Sequence, residues 1–244
     1  MDRMIYLSMA GAKMNMQRQD VLSSNLANVS TTGFRAELEA TRAVPVRGDG
    51  ASTRVYSLET TVGYDDSAGP VNFTGRALDV AAQGKTWMAV QGLDGTEAYT
   101  RFGSFTVNSE GTLVTQSGLT VMGDGGPITI PTDSTPSIAP DGTVSTRAID
   151  GKITPAGKLK LVSPEDKSLV RGDDGLFRAT DGGDLPADPN ARVQDGALEG
   201  SNVNPIETMV SMIAAARQFE SQIKMMQTAE ANEKSASQLL AGGA

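Results

Sequence analysis

Apolar residues recur at helical spacing only near the two ends of the chain. From about Asp2 to Asn28, Leu7, Met14 and Val21 repeat at intervals of seven, and Met4, Ala10 and Leu22 widen the stripe. This predicts a helix that stops near Val29-Ser30-Thr31-Thr32-Gly33, where β-branched and hydroxyl residues precede a glycine. The last segment carries the clearest pattern. Met209, Met212, Ala216, Phe219, Ile223 and Met226 are spaced 3-4-3-4-3, an a/d seam of the coiled-coil kind. Asn204 suits an N-cap, Pro205 the first helical position and Glu207 a capping box. Glu220–Lys224 and Glu230–Lys234 are helix-surface pairs in the favoured orientation. The seam weakens after Met226, ahead of Leu239 and Leu240, and the helix is expected to end at Gly242.

Between these segments the period changes to that of short strands. Leu78–Ala82, Thr86–Gln91, Ala98–Arg101, Ser104–Val107, Thr112–Thr115, Leu119–Met122 and Ile128–Ile130 read as strands. Turn-forming stretches such as Gly92-Leu93-Asp94-Gly95, Asp141-Gly142 and Asp174-Gly175 separate them. Gly48-Asp49-Gly50 and Gly63 to Pro70 read as loops. The expected class is α+β: an irregular all-β central domain with long N- and C-terminal helices packed together as a coiled-coil-like stalk. Its parts are a terminal helical core (1–35 and 203–244), a connecting segment (36–75) and a β domain (76–202).

Length adds a constraint. A β body of about 130 residues should be roughly 35–40 Å across, whereas a C-terminal helix of about 36 residues reaches roughly 54 Å. Packing the two helices on each other is the economical solution. A lone pair buries one stripe of each helix and leaves other apolar positions wet, so the termini are expected to be completed in an assembly, by neighbouring subunits.

Composition narrows the chemistry. The 244 residues carry a formal net charge of -8, which leaves no basic excess for nucleic acid or an anionic membrane surface. There is no Cys and no His, so thiolate nucleophiles, serine triads and zinc-dependent proteases are excluded. No run is long and apolar enough to span a bilayer, and the N-terminus lacks a secretory cleavage pattern. Asp65-Asp66 and Asp173-Asp174 lie beside glycines and read as turn formers, since adjacent side chains on an extended chain point apart. Asp181 to Asp188 lacks the offsets of a calcium loop. Gly123-Asp124-Gly125-Gly126-Pro127 lacks the lysine and following helix of a phosphate loop, and reads as a hairpin. Trp87 and Phe102 read as core residues. No motif requires a cofactor or a metal. Nine of the 11 methionines lie in the terminal segments, where flexible thioethers suit irregular packing.

Ser24-Asn25-Leu26-Ala27-Asn28-Val29-Ser30-Thr31-Thr32-Gly33-Phe34-Arg35 resembles the N-terminal signature of the bacterial flagellar rod and hook proteins. Leu198-Glu199-Gly200-Ser201-Asn202-Val203-Asn204-Pro205-Ile206-Glu207 resembles that family's second signature, and Leu78-Asp79-Val80-Ala81 and Tyr99-Thr100-Arg101 with Gly103 and Phe105 add to it. The chain is nearer in length to the rod members than to the longer hook proteins. Val121 to Ile128, Gly157 to Val162 and Asp173 to Arg178 resemble a proximal-rod member best, with distal-rod members as neighbours. Trp87 and Met88 depart from the large apolar residues common in relatives. The resemblance implies a structural subunit of the periplasmic rod in the basal body, transmitting torque from motor to hook. Its terminal helices would form the inner core of a helical tube and its β domain would face outward. It implies partners as well: copies of itself, other proximal and distal rod subunits, the flagellar type III export apparatus and surrounding ring proteins. Export would need no cleaved signal peptide, with no direct membrane insertion. The expected subunit interface combines the helix stripes Leu7, Met14, Val21 and Met209, Met212, Ala216, Phe219, Ile223, Met226 with Asn25, Leu26 and Asn28 of the first signature. A secreted oligomeric binding module and a two-carboxylate enzyme are the competing readings.

Overall fold

A computed structural model describes residues 2–45, 55–59, 63–165 and 168–241. The expected loop at Gly48-Asp49-Gly50, the helix stop at Gly242 and the side chains of Met4, Leu239 and Leu240 lie outside the described residues. The architecture is α+β: helix α1 (Asp2–Ala27), a mostly strand centre, and helix α2 (Pro205–Ala241). Contacts divide the chain into two units, one of Met1–Val29, Glu37–Gly63 and Val203–Ala244, the other of Ser30–Ala36 and Tyr64–Asn202.

In the first unit α1 and α2 lie side by side, and α1 also runs against the strand Val55–Glu59, which forms an antiparallel hairpin with Thr41–Pro45. The start of α2 follows from its cap. Asn204 Oδ1 accepts hydrogen bonds from the backbone N–H groups of Ile206 at 3.1 Å and Glu207 at 3.4 Å, which would otherwise be orphaned at a helix start. The Glu230–Lys234 pair forms at 2.9 Å, but both side chains are largely exposed, so its contribution is small.

The second unit is built of short antiparallel ladders. The largest sheet orders its strands Leu161–Val162, Trp87–Gln91, Glu97–Thr100, Phe177–Ala179 and Leu169–Arg171. Ser134–Ile138, Thr143–Ala148 and Ile153–Lys158 form a separate three-stranded meander. Its first turn shows why strands here are short. Gly142 sits at φ +84°, a conformation that side chains disfavour, while Asp141 Oδ1 accepts from Thr143 N at 3.0 Å. Some sequence expectations differ from the structure: Gly63–Tyr64, expected within a loop, is a short strand paired with Glu37–Leu38. Ile128–Ile130 holds only an isolated bridge, Thr129 to Thr112, and Leu119–Met122 yields bridges at Thr120 and Val121 before a two-residue strand, Met122–Gly123. Backbone hydrogen bonds still hold these segments, among them Leu113 N to Ile128 O at 2.9 Å, Ile130 N to Gly111 O at 2.6 Å and Gln91 N to Thr120 O at 2.8 Å. The glycine-rich run is the expected hairpin, with Met122 opposite Pro127 and Gly123 opposite Gly126. The aspartates serve turns: Asp65 Oδ1 accepts from Ser67 N, and Asp174 Oδ1 from Leu176 N.

Val80, Met88, Phe105, Leu113, Val121, Val144 and Val193 fill one core of this unit, and Trp87, Tyr99, Val162 and Phe177 another. Trp87 stacks at 4.6 Å from Phe177, edge-on to Tyr64. Phe102 is half-buried.

The chain passes in and out of this unit through one knot of polar contacts. Gly33 N donates to Glu199 O at 2.7 Å. Asn202 Oδ1 accepts from Ala36 N at 2.7 Å, and its Nδ2 donates to the carbonyls of Asp65 and Ser67, both at 3.0 Å. Beneath them Glu199, 1% exposed, accepts an ion pair from Arg35 at 2.9 Å and another from Arg101 at 3.2 Å. Arg101 also donates to the carbonyls of Gly84 and Thr86 and lies over the Trp87 ring. Burial, then the neighbouring Arg35 cation, pushes its pKa down to about 10, so it stays charged at neutral pH. Gly33 is forced at this site: its φ is +69°, and a Cβ there would stand 2.5 Å from the Arg101 carbonyl. Gly33→Ala should therefore destabilise the strand unit by about 1–3 kcal/mol, read as a fall in its thermal midpoint. An unchanged midpoint would show that the backbone yields there freely.

Candidate assembly interface

The faces of α1 and α2 divide by size and polarity in an unexpected way. On α1 the buried positions are Ser8, Ala12, Asn15 and Asn25. On α2, Thr208, Ala215 and Ala229 are buried, while Met212, Phe219, Gln222 and Met226 between them are half-buried. These seven α2 positions alternate spacings of four and three, one continuous line on a helix. The helices meet along it. A Cβ on Gly11 would stand 3.0 Å from the Gln222 side chain. Burial on α2 stops at Ala229, and residues 230–235 are exposed. Antiparallel pairing accounts for both: with Gly11 beside Gln222, the start of α1 lies near Ala229 and Asn25 near Thr208.

The most exposed large apolar side chains lie away from this line. On α2, Ile206, Met209, Val210 and Ile213 are 74%, 50%, 62% and 56% exposed, on the side of the helix away from Ala215. On α1, Tyr6, Met9 and Met16 are each more than half exposed. Apolar side chains scattered singly on a surface need no explanation, but a run along one helix face marks a contact surface.

The expected interface residues fall into three groups. Met212, Phe219 and Met226 lie on the seam between the two helices, with Ala216 and Ile223 half-buried at its margin, and Met209 is exposed. Leu7, Met14 and Val21 are half-buried, about a third of a turn from the Ser8–Ala12–Asn15 line. The signature residues work inside the chain. Asn25 Nδ2 donates to Glu37 O at 3.0 Å while its Oδ1 accepts from Glu37 N at 2.8 Å, copying a strand pairing with one side chain. Asn28 Nδ2 donates to Ser24 O at 2.9 Å and caps the end of α1, and Leu26 is half-buried. Sequence reasoning missed the small seam residues, since Ser8, Asn15 and Thr208 carry no hydrophobic signal. It also missed the Arg35–Glu199–Arg101 cluster, although two of its members stand in the two end signatures.

The buried Tyr99 hydroxyl donates to Glu97 at 2.8 Å and accepts from Leu185 N at 2.6 Å, and burial raises its pKa. Glu97 is also paired with Lys160 at 2.7 Å. No helix among the described residues is long and apolar enough to cross a membrane.

Residues 5–35 match the family model described as flagella basal body rod protein, residues 81–146 that of the flagellar hook protein FlgE/F/G D1 domain, and residues 194–239 that of the flagellar basal body rod FlgEFG protein C-terminal. A protein of Salmonella typhimurium named flagellar basal-body rod protein FlgF is 47% identical over 251 residues, covering 98% of this chain and 99% of that one. The chain belongs to the flagellar basal-body rod proteins. The FlgF of Caulobacter vibrioides is 36% identical, covering 98% of each chain, and a FlgG of Bacillus subtilis is 31% identical, covering 93% of this chain and 95% of its own. The likeness to the FlgF proteins runs through both helices and the strand unit alike. As a basal-body rod protein the chain is a structural subunit and not an enzyme.

Proposed function

We propose that this rod subunit assembles by stacking on copies of itself and on other rod subunits, through helix faces that its own fold leaves open. The single observation that carries the reading is the inversion at the helix pair. The fully buried positions of the seam are small or polar, its larger members Met212, Phe219 and Met226 are only half-buried, and Ile206, Met209, Val210 and Ile213 face solvent. A helix pair closed on itself would place them the other way round. A head-to-tail array presents different patches to different neighbours, which suits two apolar faces on one pair. Within the subunit the alternating line on α2 supports a coiled-coil-like contact, in which Ala215 and Ala229 alternate with the larger Met212, Phe219 and Met226.

The 47% and 36% identity to the FlgF proteins of Salmonella typhimurium and Caulobacter vibrioides, against 31% to the FlgG of Bacillus subtilis, supports a proximal place in the rod, with a distal place as the alternative. Close packing of many such helices supplies the stiffness that torque transmission from motor to hook requires. The subunit would reach the periplasm through the flagellar type III export apparatus with its N-terminus uncleaved. The absence of Cys fits a chain that crosses into an oxidising compartment. Surrounding ring proteins would meet the strand unit.

Ile213→Asp tests the proposal. The side chain is 56% exposed, so a charge there costs the isolated subunit little. In a strain lacking the gene, the variant should be made and folded, with wild-type helix content by circular dichroism, yet fail to restore swimming. Full swimming would show that this face meets nothing.

A further inference from the structure

We propose that Met9, Met16 and Met209 are sulfoxidation sites whose oxidation switches off assembly. This rests on the interface reading above. The oxidisable side chains are unequally placed. There is no cysteine to react first. Trp87 and Met88 are 1% and 0% exposed in the strand unit, and Met14, Met122, Met212 and Met226 are half-buried. Met9, Met16 and Met209 are 55%, 54% and 50% exposed, and Met225 follows at 40%. Among the described residues the most open thioethers therefore all lie on α1 and α2. The order of attack should follow accessibility.

A peroxide is the co-reactant. The thioether sulfur attacks one peroxide oxygen, the O–O bond breaks and an S–O bond forms. The departing oxygen keeps one proton, takes up the one lost from its partner and leaves as water. Sulfur gives up two electrons and the peroxide gains them. The product is polar and a strong acceptor, costly to bury without a donor. Met9 and Met16 share one side of α1, seven residues apart, and Met209 sits among Ile206, Val210 and Ile213. An oxygen on any of them wets a face that must become dry for a neighbour to dock. A docked neighbour shields the same sulfurs, so the subunit is vulnerable before it is built in and protected afterwards. Sulfoxide reductases reverse the change.

The test has two arms. The purified full chain is treated with hydrogen peroxide, digested, and each added oxygen located by mass spectrometry. Met9, Met16 and Met209 should carry oxygen before Met88 does, and the opposite order overturns the assignment. In a strain lacking the gene, the triple variant Met9→Gln, Met16→Gln, Met209→Gln mimics the polar product and should lose swimming. The matching triple leucine variant keeps the apolar faces and should swim, also after a peroxide pulse during rod assembly that stops the wild type. Swimming of the glutamine variant, or loss of swimming in the leucine variant, overturns the proposal. If the glutamine triple loses helix by circular dichroism, Met209→Gln alone is read in its place, against the same outcomes. The two readings fail separately: an Ile213→Asp strain that swims removes the interface, whereas a still Ile213→Asp strain beside a swimming glutamine variant removes only the oxidation switch.

Discussion

Replacing Glu199 with alanine should cost the strand unit roughly 3–5 kcal/mol, because it leaves two guanidinium groups buried without their counter-ion. Arg35 and Arg101 have side chains 0% and 1% exposed, so water cannot replace the lost carboxylate. The backbone carbonyls around Arg101 solvate one charge only in part. For a unit of this size that loss should lower the melting midpoint by about 10 °C. Glu199→Gln is the sharper probe. It keeps the shape and the Gly69 N contact at Oε1, removes the charge, and turns an amide N–H toward the Arg101 Nε–H in place of an acceptor. If the glutamine variant melts with the wild type, the cluster is a hydrogen-bond knot and its charges do not matter.

The second large effect is expected at Phe219. It is half-buried on the line where α2 meets α1, close to Asn15 in the antiparallel register. Asn15 Oδ1 already lies there as a buried acceptor without a hydrogen bond. Phe219→Asp would set a carboxylate beside that oxygen and remove the largest side chain of the seam. A loss of about 3 kcal/mol or more should follow, enough to loosen the helix pair. Far-UV circular dichroism should show reduced helix content in the purified chain, and swimming should fail. Ile213→Asp should abolish swimming with the helices intact, so the pair of variants separates folding of the subunit from docking of its neighbours. Undiminished helix content in Phe219→Asp would move the seam elsewhere.

Much of this architecture is legible in the sequence, for local reasons. The Asn204-Pro205 start of α2 and the glycine turns between strands depend on residues a few positions apart, so their chemistry can be read along the chain. The side of a helix that meets its own chain cannot be read that way. Met209 and Ile213 give the same periodic signal as Met212 and Phe219, because one helix carries two apolar faces for two purposes. The narrow seam is set by where side chains are small, at Ala12, Ala215 and Ala229, and smallness leaves no hydrophobic trace. The ion cluster is silent for a different reason. Arg35, Arg101 and Glu199 are distant in sequence, and each alone looks like an ordinary surface charge until the fold brings them together.

The contacts of Asn202 with Ala36, Asp65 and Ser67 gather every passage of the chain into and out of the strand unit at one spot. A unit whose ends are tied together at one spot behaves as a cassette. Its far loops can lengthen, shorten or acquire new surfaces over evolutionary time without disturbing that tie. Relatives of unequal length can in this way share one scaffold and differ only in what each hangs upon it.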